Sequence, residues 1–239
     1  KYIIVDEAQD FTDNQIDEMK ASFTESIMFL GDDAQSIFSG RLDMREVAVK
    51  VPGILNQNLM KNYRLPKKIA RVATYLQDRQ SESLYVENCV REGRKIPVIK
   101  KFGNQVQEID FIAKQIKDNK MTDVGIFVPT NKDVQKVEDM LGIECERRYT
   151  IYKDGGGKEI IDNLNFRSDN PKIITYHSAK GCQFDSVFMP FCEDERLKDP
   201  DKWRRATYVA FTRSLNNVTV TYSEEIVHYF TSISKDLYS

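Results

Sequence analysis

Short runs of apolar residues alternate along the chain with longer segments in which apolar residues recur every three or four positions. The runs predict seven strands, at 2–5, 26–30, 96–102, 124–128, 172–176, 186–190 and 217–222. The periodic segments predict six helices, at 12–22, 66–80, 104–118, 131–141, 202–214 and 223–232. Strands separated by helices of this length are joined by crossover connections, which make a mainly parallel sheet. The pattern therefore predicts an α/β fold.

Two polar segments interrupt this alternation. Residues 77–94 show little apolar periodicity and predict a surface connection near a domain boundary. We therefore expect residues 1–80 to form the back part of one α/β domain and residues 81–239 to form a second domain. Residues 152–160 contain three consecutive glycines and predict a flexible turn, within a hairpin or a loop insertion.

Composition narrows the class of protein. With 239 residues, of which 41% are hydrophobic, the chain can bury a substantial core without disulfides or a structural metal. A net charge of −2 provides no general basic field, so any site for a polyanion must be local. The four cysteines form no CxxC pair, which argues against a zinc site and a disulfide framework and favours a reducing cytoplasm. No apolar run approaches the roughly 20 residues of a membrane span.

Carboxylates follow the first predicted strand directly. Asp6 and Glu7 stand at its carboxyl end, where open parallel sheets bind ligands. One carboxylate there can hold Mg²⁺ while the other positions a water molecule for phosphoryl transfer. Alternatively, the acids cap the helix that begins near Phe11, and this segment alone does not decide between the two. The second strand repeats the arrangement in "GDDAQSIF", which adds Gln35 and favours a site for phosphate and metal.

The blocks "VDEAQD" and "GDDAQSIF" resemble the second and third motifs of superfamily 1 helicases of the UvrD/Rep type. The resemblance implies RecA-like parallel sheets with flanking helices, ATP and Mg²⁺ as cofactors, and single-stranded DNA as the partner. It also implies that Asp6 binds Mg²⁺, that Glu7 is the base that polarises the attacking water, and that Gln35 senses the γ-phosphate.

Further blocks extend the resemblance in the family's order, from residue 3 to about residue 222. "LNQNLMKNYRLP" resembles the fourth motif and implies that Tyr63 stacks on adenine and Arg64 reaches the γ-phosphate. "RRATYVAFTRS" resembles the sixth and implies that Arg213 is an arginine finger. Such an arginine, supplied by a facing domain, stabilises the charge of the transition state and accelerates phosphoryl transfer by about 10³ to 10⁵.

The block "IITYHSAKGCQFDSVFMP" resembles the fifth motif, whose first part faces the DNA backbone. Hydroxyl, imidazole and ammonium groups at a strand end suit sequence-independent phosphate contacts. In this block, Gln183 is expected to approach the nucleotide. Phe38, in the third motif, could stack on a base, which grips single strands without sequence preference. The residues implied as DNA contacts are Phe38, Thr175, His177, Ser178 and Lys180.

Each of these side chains also has an ordinary structural interpretation. Arg213 could complement a helix end, and Arg64 could pair with a surface carboxylate. Tyr63 could be a half-buried core aromatic, and Phe38 could lie beneath its own loop. The ordered succession of blocks favours the helicase interpretation over these alternatives.

The chain departs from the family pattern at several places. It has no phosphate-binding P-loop, because around Gly157-Lys158 the required glycine is replaced by Tyr152 and the required Ser or Thr by Glu159. The chain begins with Lys1 rather than Met, and we expect it to be the C-terminal piece of a longer protein whose P-loop lies upstream. We therefore predict that the isolated chain neither hydrolyses ATP nor unwinds DNA.

Other departures concern the grip on DNA and the size of the motor. Ser39 and Gly40 stand where the family commonly has Trp, and Gln183 replaces an acid, which retains a hydrogen-bonding amide but no charge. Only about 110 residues separate Arg64 from Thr175, which leaves little room for an inserted helical subdomain. The parent is expected to be a compact variant, and nothing demands more than a monomer.

Two other classes of function stay open at this point. Clustered acids also serve two-metal nucleases, although such enzymes need neither Gln35 nor an arginine finger. Alternatively, the helicase fold could survive as a non-catalytic interaction module, an interpretation that the motif departures favour and the retained Glu7, Gln35, Arg64 and Arg213 oppose.

Overall fold

The chain folds into two compact units, Lys1–Met60 and Lys61–Ser239. The computed structural model describes residues 2–22, 26–37, 41–51, 53, 55–77, 82–153, 156–197 and 200–239. Within these ranges, none of the helices has the length and apolar character needed to cross a bilayer.

The first unit contains a parallel pair of strands joined by a helix. Its elements are β1 (Tyr2–Val5), α1 (Asp13–Ser22), β2 (Ser26–Phe29) and α2 (Met44–Lys50). The apolar residues that form its core are Val5, Ala8, Ile16, Phe29 and Val47. The sequence predicted the first three elements but missed α2. The missed signal was a capping box, in which Asp43 accepts a hydrogen bond from the Glu46 amide at 2.8 Å and the Glu46 side chain returns one.

The second unit contains one sheet of seven strands. They are β3 (Val98–Lys101), β4 (Val124–Val128), β5 (Glu146–Tyr152), β6 (Lys158–Asp162), β7 (Lys172–Thr175), β8 (Phe184–Met189) and β9 (Ser214–Tyr222). Their spatial order is β3-β9-β8-β4-β7-β5-β6, and every neighbouring pair is parallel except β5 and β6. The predicted α/β class, with a mainly parallel sheet, is confirmed.

The described part of the second unit also contains five α-helices. They are α3 (Lys67–Tyr75), α4 (Glu82–Glu87), α5 (Gln105–Asp118), α6 (Asn131–Leu141) and α7 (Pro200–Phe211). The predicted apolar face of α5 packs into the core through Ile109, Ile112, Ala113 and Ile116, whereas Val106 is half exposed. Every residue of β4, in the centre of the sheet, is buried, as expected of a strand covered on both faces.

Three predictions about the second unit need correction. The helix predicted at 223–232 is wrong, because this segment makes backbone bonds to a neighbouring loop, including Val227 N to Cys192 O at 3.1 Å, and forms only a 3-10 turn at His228–Phe230. The segment predicted as a polar connection contains α4. The glycine-rich turn is a hairpin, as one of the two interpretations expected, but its strands β5 and β6 were not predicted.

The chain divides into its two compact units after Met60, and the sequence predicted a domain boundary at residue 80. The intervening segment is bonded to the second unit. Arg204 Nη2 donates to the Tyr75 carbonyl at 2.8 Å, and the hydroxyls of Tyr85 and Tyr208 lie 3.0 Å apart. Consequently, the fourth-motif residues lie in the same compact unit as those of the fifth and sixth motifs.

Candidate nucleotide and nucleic-acid site

The acidic residues of the first unit lie where the two parallel strands end. Leu30 N donates to the Val5 carbonyl at 2.8 Å, and Ala8 N donates to the Leu30 carbonyl at 2.8 Å. These two bonds continue the strand pairing into the loops, so that Glu7 and Asp32 follow adjacent strand ends. The side chains that the sequence assigned to one edge of the sheet therefore belong to neighbouring loops.

Glu7 adopts a backbone conformation that non-glycine residues rarely occupy. Its φ of 52° and ψ of 45° lie in the left-handed region, which costs an L-residue about 1–2 kcal/mol. The Glu7 amide donates to Asp6 Oδ1 at 2.9 Å, and the Asp6 side chain is exposed. Such strain persists only where surrounding contacts impose it, and it concentrates at functional sites.

Gln9 is the contact that fixes this loop. Its side chain is completely buried, and Nε2 donates to Glu7 Oε2 at 2.5 Å while Oε1 accepts from the Asp32 amide at 3.0 Å. Gln35 Nε2 in turn donates to Asp32 Oδ2 at 2.8 Å. A continuous set of hydrogen bonds, here called the Gln9 bridge, thus joins Glu7 to Gln35 through Gln9 and Asp32.

Gly31 provides the space that the Gln9 bridge requires. A Cβ at this position would lie 2.6 Å from Gln9 Oε1 and 2.4 Å from Met44 Sδ, both shorter than real contacts allow. Asp33 Oδ1 accepts from the Met44 amide at 2.8 Å and ties the start of α2 to the same loop. The sequence around Gln9 does not indicate this role, because its contacts form only when the two loops come together.

In the second unit, the fourth-motif residues lie in a tight loop before α3. Asn62 Oδ1 accepts from the amides of Arg64 and Leu65 at 3.0 and 2.9 Å, which fixes the backbone that carries Arg64. Tyr63 is 67% exposed, as a stacking platform requires. Arg91, which the sequence did not single out, donates to the Arg64 carbonyl at 2.8 Å and to Asn216 Oδ1 at 2.6 Å. The loop is thereby anchored beside the start of β9.

Arg213 and Gln183 lie near the same edge of the sheet. Arg213 directly precedes β9, and its carbonyl accepts from the amide of Phe184, the first residue of β8, at 3.1 Å. Gln183 is exposed just before that residue. The Arg213 side chain is only 2% exposed and its Nε donates to the Val209 carbonyl at 3.1 Å. The arginine-finger role therefore stays a prediction.

The residues implied as DNA contacts lie at the opposite edge. Thr175 ends β7, and its Oγ1 donates to Ser178 Oγ at 3.0 Å and accepts from the Ser178 amide at 3.3 Å. His177 and Ser178 are exposed, and Lys180, half-buried, continues the turn. The described structure thus separates the two predicted sets, because Thr175 is at the carboxyl edge of the sheet and Arg213 is at the amino edge. Phe38 lies outside the described residues.

The thiol of Cys182 directly precedes Gln183, which is predicted to approach the nucleotide. Burial raises the pKa of Cys182, and the positive charges of Arg213 and Arg148 partly oppose this shift. The Cys182 side chain is therefore protonated at neutral pH. It adds no negative charge next to Gln183, where the family carries an acid.

Proteins named as DNA helicases are among those to which the chain is similar. No protein-family model matches the chain. A protein of Acanthamoeba polyphaga mimivirus, provisionally named as an ATP-dependent DNA helicase, is 22% identical over 245 residues, which cover 96% of this chain. DNA helicase II of Haemophilus influenzae is 30% identical over 181 residues, which cover 70% of this chain. The matches span only 32% and 24% of those two proteins.

A solved structure supports the fold. The C-terminal domain of a possible DNA helicase from Lactobacillus strain WCFS1 superposes with a TM-score of 0.53 and 14% sequence identity. The similarity covers 74% of this chain and 98% of that domain. At this level of identity, the likeness concerns the fold alone.

Proposed function

We propose that this chain, which is related to DNA helicases of the UvrD/Rep type, is part of an ATP-dependent motor that moves on single-stranded DNA. The observation that carries the proposal is the Gln9 bridge, which holds Glu7 and Gln35 in one hydrogen-bonded set at the end of two parallel strands. A hydrolytic base and a γ-phosphate sensor need such a fixed relation, because phosphoryl transfer depends mainly on positioning and electrostatics.

In this proposal, Glu7 orients the attacking water and accepts its proton, and Gln35 reports the presence of the γ-phosphate. Asp6 would hold Mg²⁺, which suits an exposed carboxylate because this ion binds through one or two carboxylates and otherwise keeps waters and phosphate oxygens. The ion, when bound, neutralises charge on the phosphate oxygens. The hydrogen bond from Gln9 restrains rotation of the Glu7 carboxylate.

The proposal divides the roles in the second unit between the two edges of the sheet. At the amino edge, Tyr63 would stack on adenine, Gln183 would approach the nucleotide, and Arg64 and Arg213 would stabilise the transferred phosphoryl group. The buried position of Arg213 implies that its guanidinium must become accessible during the catalytic cycle.

At the carboxyl edge, Thr175, His177, Ser178 and Lys180 would contact the DNA backbone, and a stacking role for Phe38 belongs to the same proposal. Hydroxyl and cationic groups there suit phosphate contacts that carry no sequence information. The modest net charge of the chain is consistent with a local strip of contacts rather than a broad basic surface.

The phosphate cradle belongs, in this proposal, to another part of the complete protein. The chain contains no G-x-x-x-x-G-K-[ST] sequence, and it spans 32% and 24% of the two named relatives. We therefore expect the isolated chain to show no DNA-stimulated ATP turnover. Robust turnover by these 239 residues would contradict this part of the proposal.

The decisive experiment replaces Glu7 in the complete protein. Glu7→Gln keeps the size of the side chain and its bond to Gln9 but removes the base, and it should lower DNA-stimulated ATP turnover by about 10²- to 10⁴-fold. ATP binding, measured with a fluorescent analogue, should persist. Glu18→Gln, which changes an exposed acid of α1, is the matched control and should leave turnover unchanged.

The outcome separates the motor from the alternatives. Unchanged turnover by Glu7→Gln would remove Glu7 from its proposed role. A complete protein that binds partners but never turns over ATP would instead favour the interaction module. Metal-dependent cleavage of DNA by the 239-residue chain would favour the nuclease.

A further inference from the structure

The only tryptophan of the chain contacts the turn that follows β7. Trp203 lies in α7, 26 residues beyond His177, yet the centroids of the two rings are 4.8 Å apart and their planes meet at 81°. His177 is exposed and Trp203 is half-buried, so part of the indole reaches solvent. The fold therefore creates an aromatic pair at the carboxyl edge of the sheet.

Two hydroxyl-bearing residues flank His177 in its turn. Thr175 and Ser178 bond to each other within the same turn, which fixes the backbone on both sides of His177. An edge-to-face arrangement is a favourable geometry for aromatic rings and holds the imidazole against the indole. Hydroxyls and an aromatic corner thus lie together on a rigid turn.

We propose that Trp203 is a base-stacking contact for single-stranded DNA and that it forms one wall of a nucleobase site with His177. The proposal rests on the proposed DNA-binding function of this edge. Hydroxyl groups can bind phosphates of any nucleic acid, whereas an aromatic face selects for bases that are free to unstack. Trp203 therefore gives this edge a preference for single strands over duplex.

The chain offers a direct measurement, because Trp203 is its only tryptophan. Titration of the 239-residue chain with an oligothymidylate of about 12 nucleotides should quench tryptophan emission, at low salt because phosphate contacts weaken as salt rises. A duplex of equal length should quench less. Fluorescence anisotropy of a labelled oligothymidylate gives the affinity independently of the tryptophan.

Substitutions then test whether the contact contributes to affinity. Trp203→Ala should weaken binding of the labelled strand by about 5- to 100-fold, the cost of losing one stacked base, whereas Trp203→Phe should retain most of the affinity. Phe166→Ala is the matched control, because Phe166 is an aromatic that is 61% exposed and packs on Phe184 at the amino edge. It should bind DNA as the wild-type chain does.

The possible results are distinguishable. Bound DNA without quenching, with Trp203→Ala equal to the wild type, would overturn the stacking role and leave the DNA-binding function intact. No binding of single strands by the wild-type chain would contradict both proposals. If Trp203→Ala loses its circular dichroism, Trp203→Phe and the quenching titration still decide the question.

Discussion

The Gln9 bridge makes a strong prediction about how the hydrolytic base is positioned. Gln9→Met keeps the approximate volume of the side chain but removes both hydrogen bonds, to Glu7 Oε2 and from the Asp32 amide. One lost bond is to a charged group, worth about 1.5–3 kcal/mol, and the other is neutral, worth about 0.5–1.5 kcal/mol. The first unit should therefore lose roughly 2–4.5 kcal/mol of unfolding free energy.

The same change should impair catalysis more than it impairs substrate binding. Without Gln9, the Glu7 carboxylate can rotate, and a displacement of about 1 Å at a reacting group can cost 10²-fold in rate. We expect kcat for ATP in the complete protein to fall by about 10- to 100-fold while KM changes little, because Gln9 is completely buried and does not touch the nucleotide. Stimulation by single-stranded DNA should also fall, because Glu7 is no longer connected to Gln35 through the Gln9 bridge.

A matched control and a clear refutation accompany this prediction. Gln15→Met removes a glutamine whose Oε1 accepts from the Thr12 amide at 2.9 Å, but which is exposed on α1. It should alter turnover by less than about twofold, as surface substitutions away from such features usually do. If Gln9→Met destabilises the protein in urea yet keeps the wild-type kcat and DNA stimulation, Gln9 is a packing residue and the positioning argument is refuted.

Two further predictions concern space and protonation. Gly31→Ala should lower the unfolding free energy by about 1–3 kcal/mol in urea titrations, because the new Cβ would meet Gln9 Oε1 at 2.6 Å. Gly157→Ala is the control, because its new Cβ would meet only Lys153 Cβ, at an ordinary contact distance of 3.6 Å. A smaller cost of Gly31→Ala in a Gln9→Met background would show that the two sites share one contact. Burial raises the pKa of Glu108 above its ordinary value of 4.5, although Thr221 and the Phe191 amide donate to its Oε2. An acid whose pKa is raised in the folded protein destabilises the fold as pH rises above its ordinary value of 4.5, so the stability of Glu108→Gln relative to the wild type should increase as pH rises above that value. A difference independent of pH in thermal melts would contradict this.

The pattern of apolar residues predicted the parts of the fold whose local sequence and burial agree. β4 is a continuous apolar run that becomes the fully buried centre of the sheet, and α5 carries its apolar residues at helical spacing. The helix predicted at 223–232 failed for the opposite reason. Its apolar residues Val227, Tyr229 and Phe230 are buried, but the segment is held by backbone bonds to the loop after β8 rather than by a helical face.

The candidate site shows the same division between local and long-range information. The acids after β1 and β2 could be placed at one edge because a strand end is a local feature. The contact between Gln9 and Asp32 spans 23 residues, and that between His177 and Trp203 spans 26, so neither has a signature in its own segment. The burial of Gln9 and the pairing of His177 with Trp203 arise only once the backbone has folded.

The connection between β7 and β8 joins the proposed DNA contacts of the second unit directly to its proposed nucleotide contact, Gln183. Thr175 ends β7 at the carboxyl edge and Phe184 begins β8 at the amino edge, so eight residues, 176–183, cross the depth of the sheet. A crossover between parallel strands usually takes a dozen residues or more. One helical turn, closed by Ala179 N to the Thr175 carbonyl at 3.0 Å, occupies part of this short segment.

The segment 176–183 is therefore nearly taut between the proposed DNA contacts at its beginning and Gln183 at its end. A connection with slack would let one end move without the other, whereas a short one passes a displacement along the backbone. The nucleotide-facing and DNA-facing groups that the proposal assigns to this unit are the two ends of one eight-residue segment. If Gln183 moves with the nucleotide, the displacement would then shift His177 and the aromatic pair that His177 forms with Trp203.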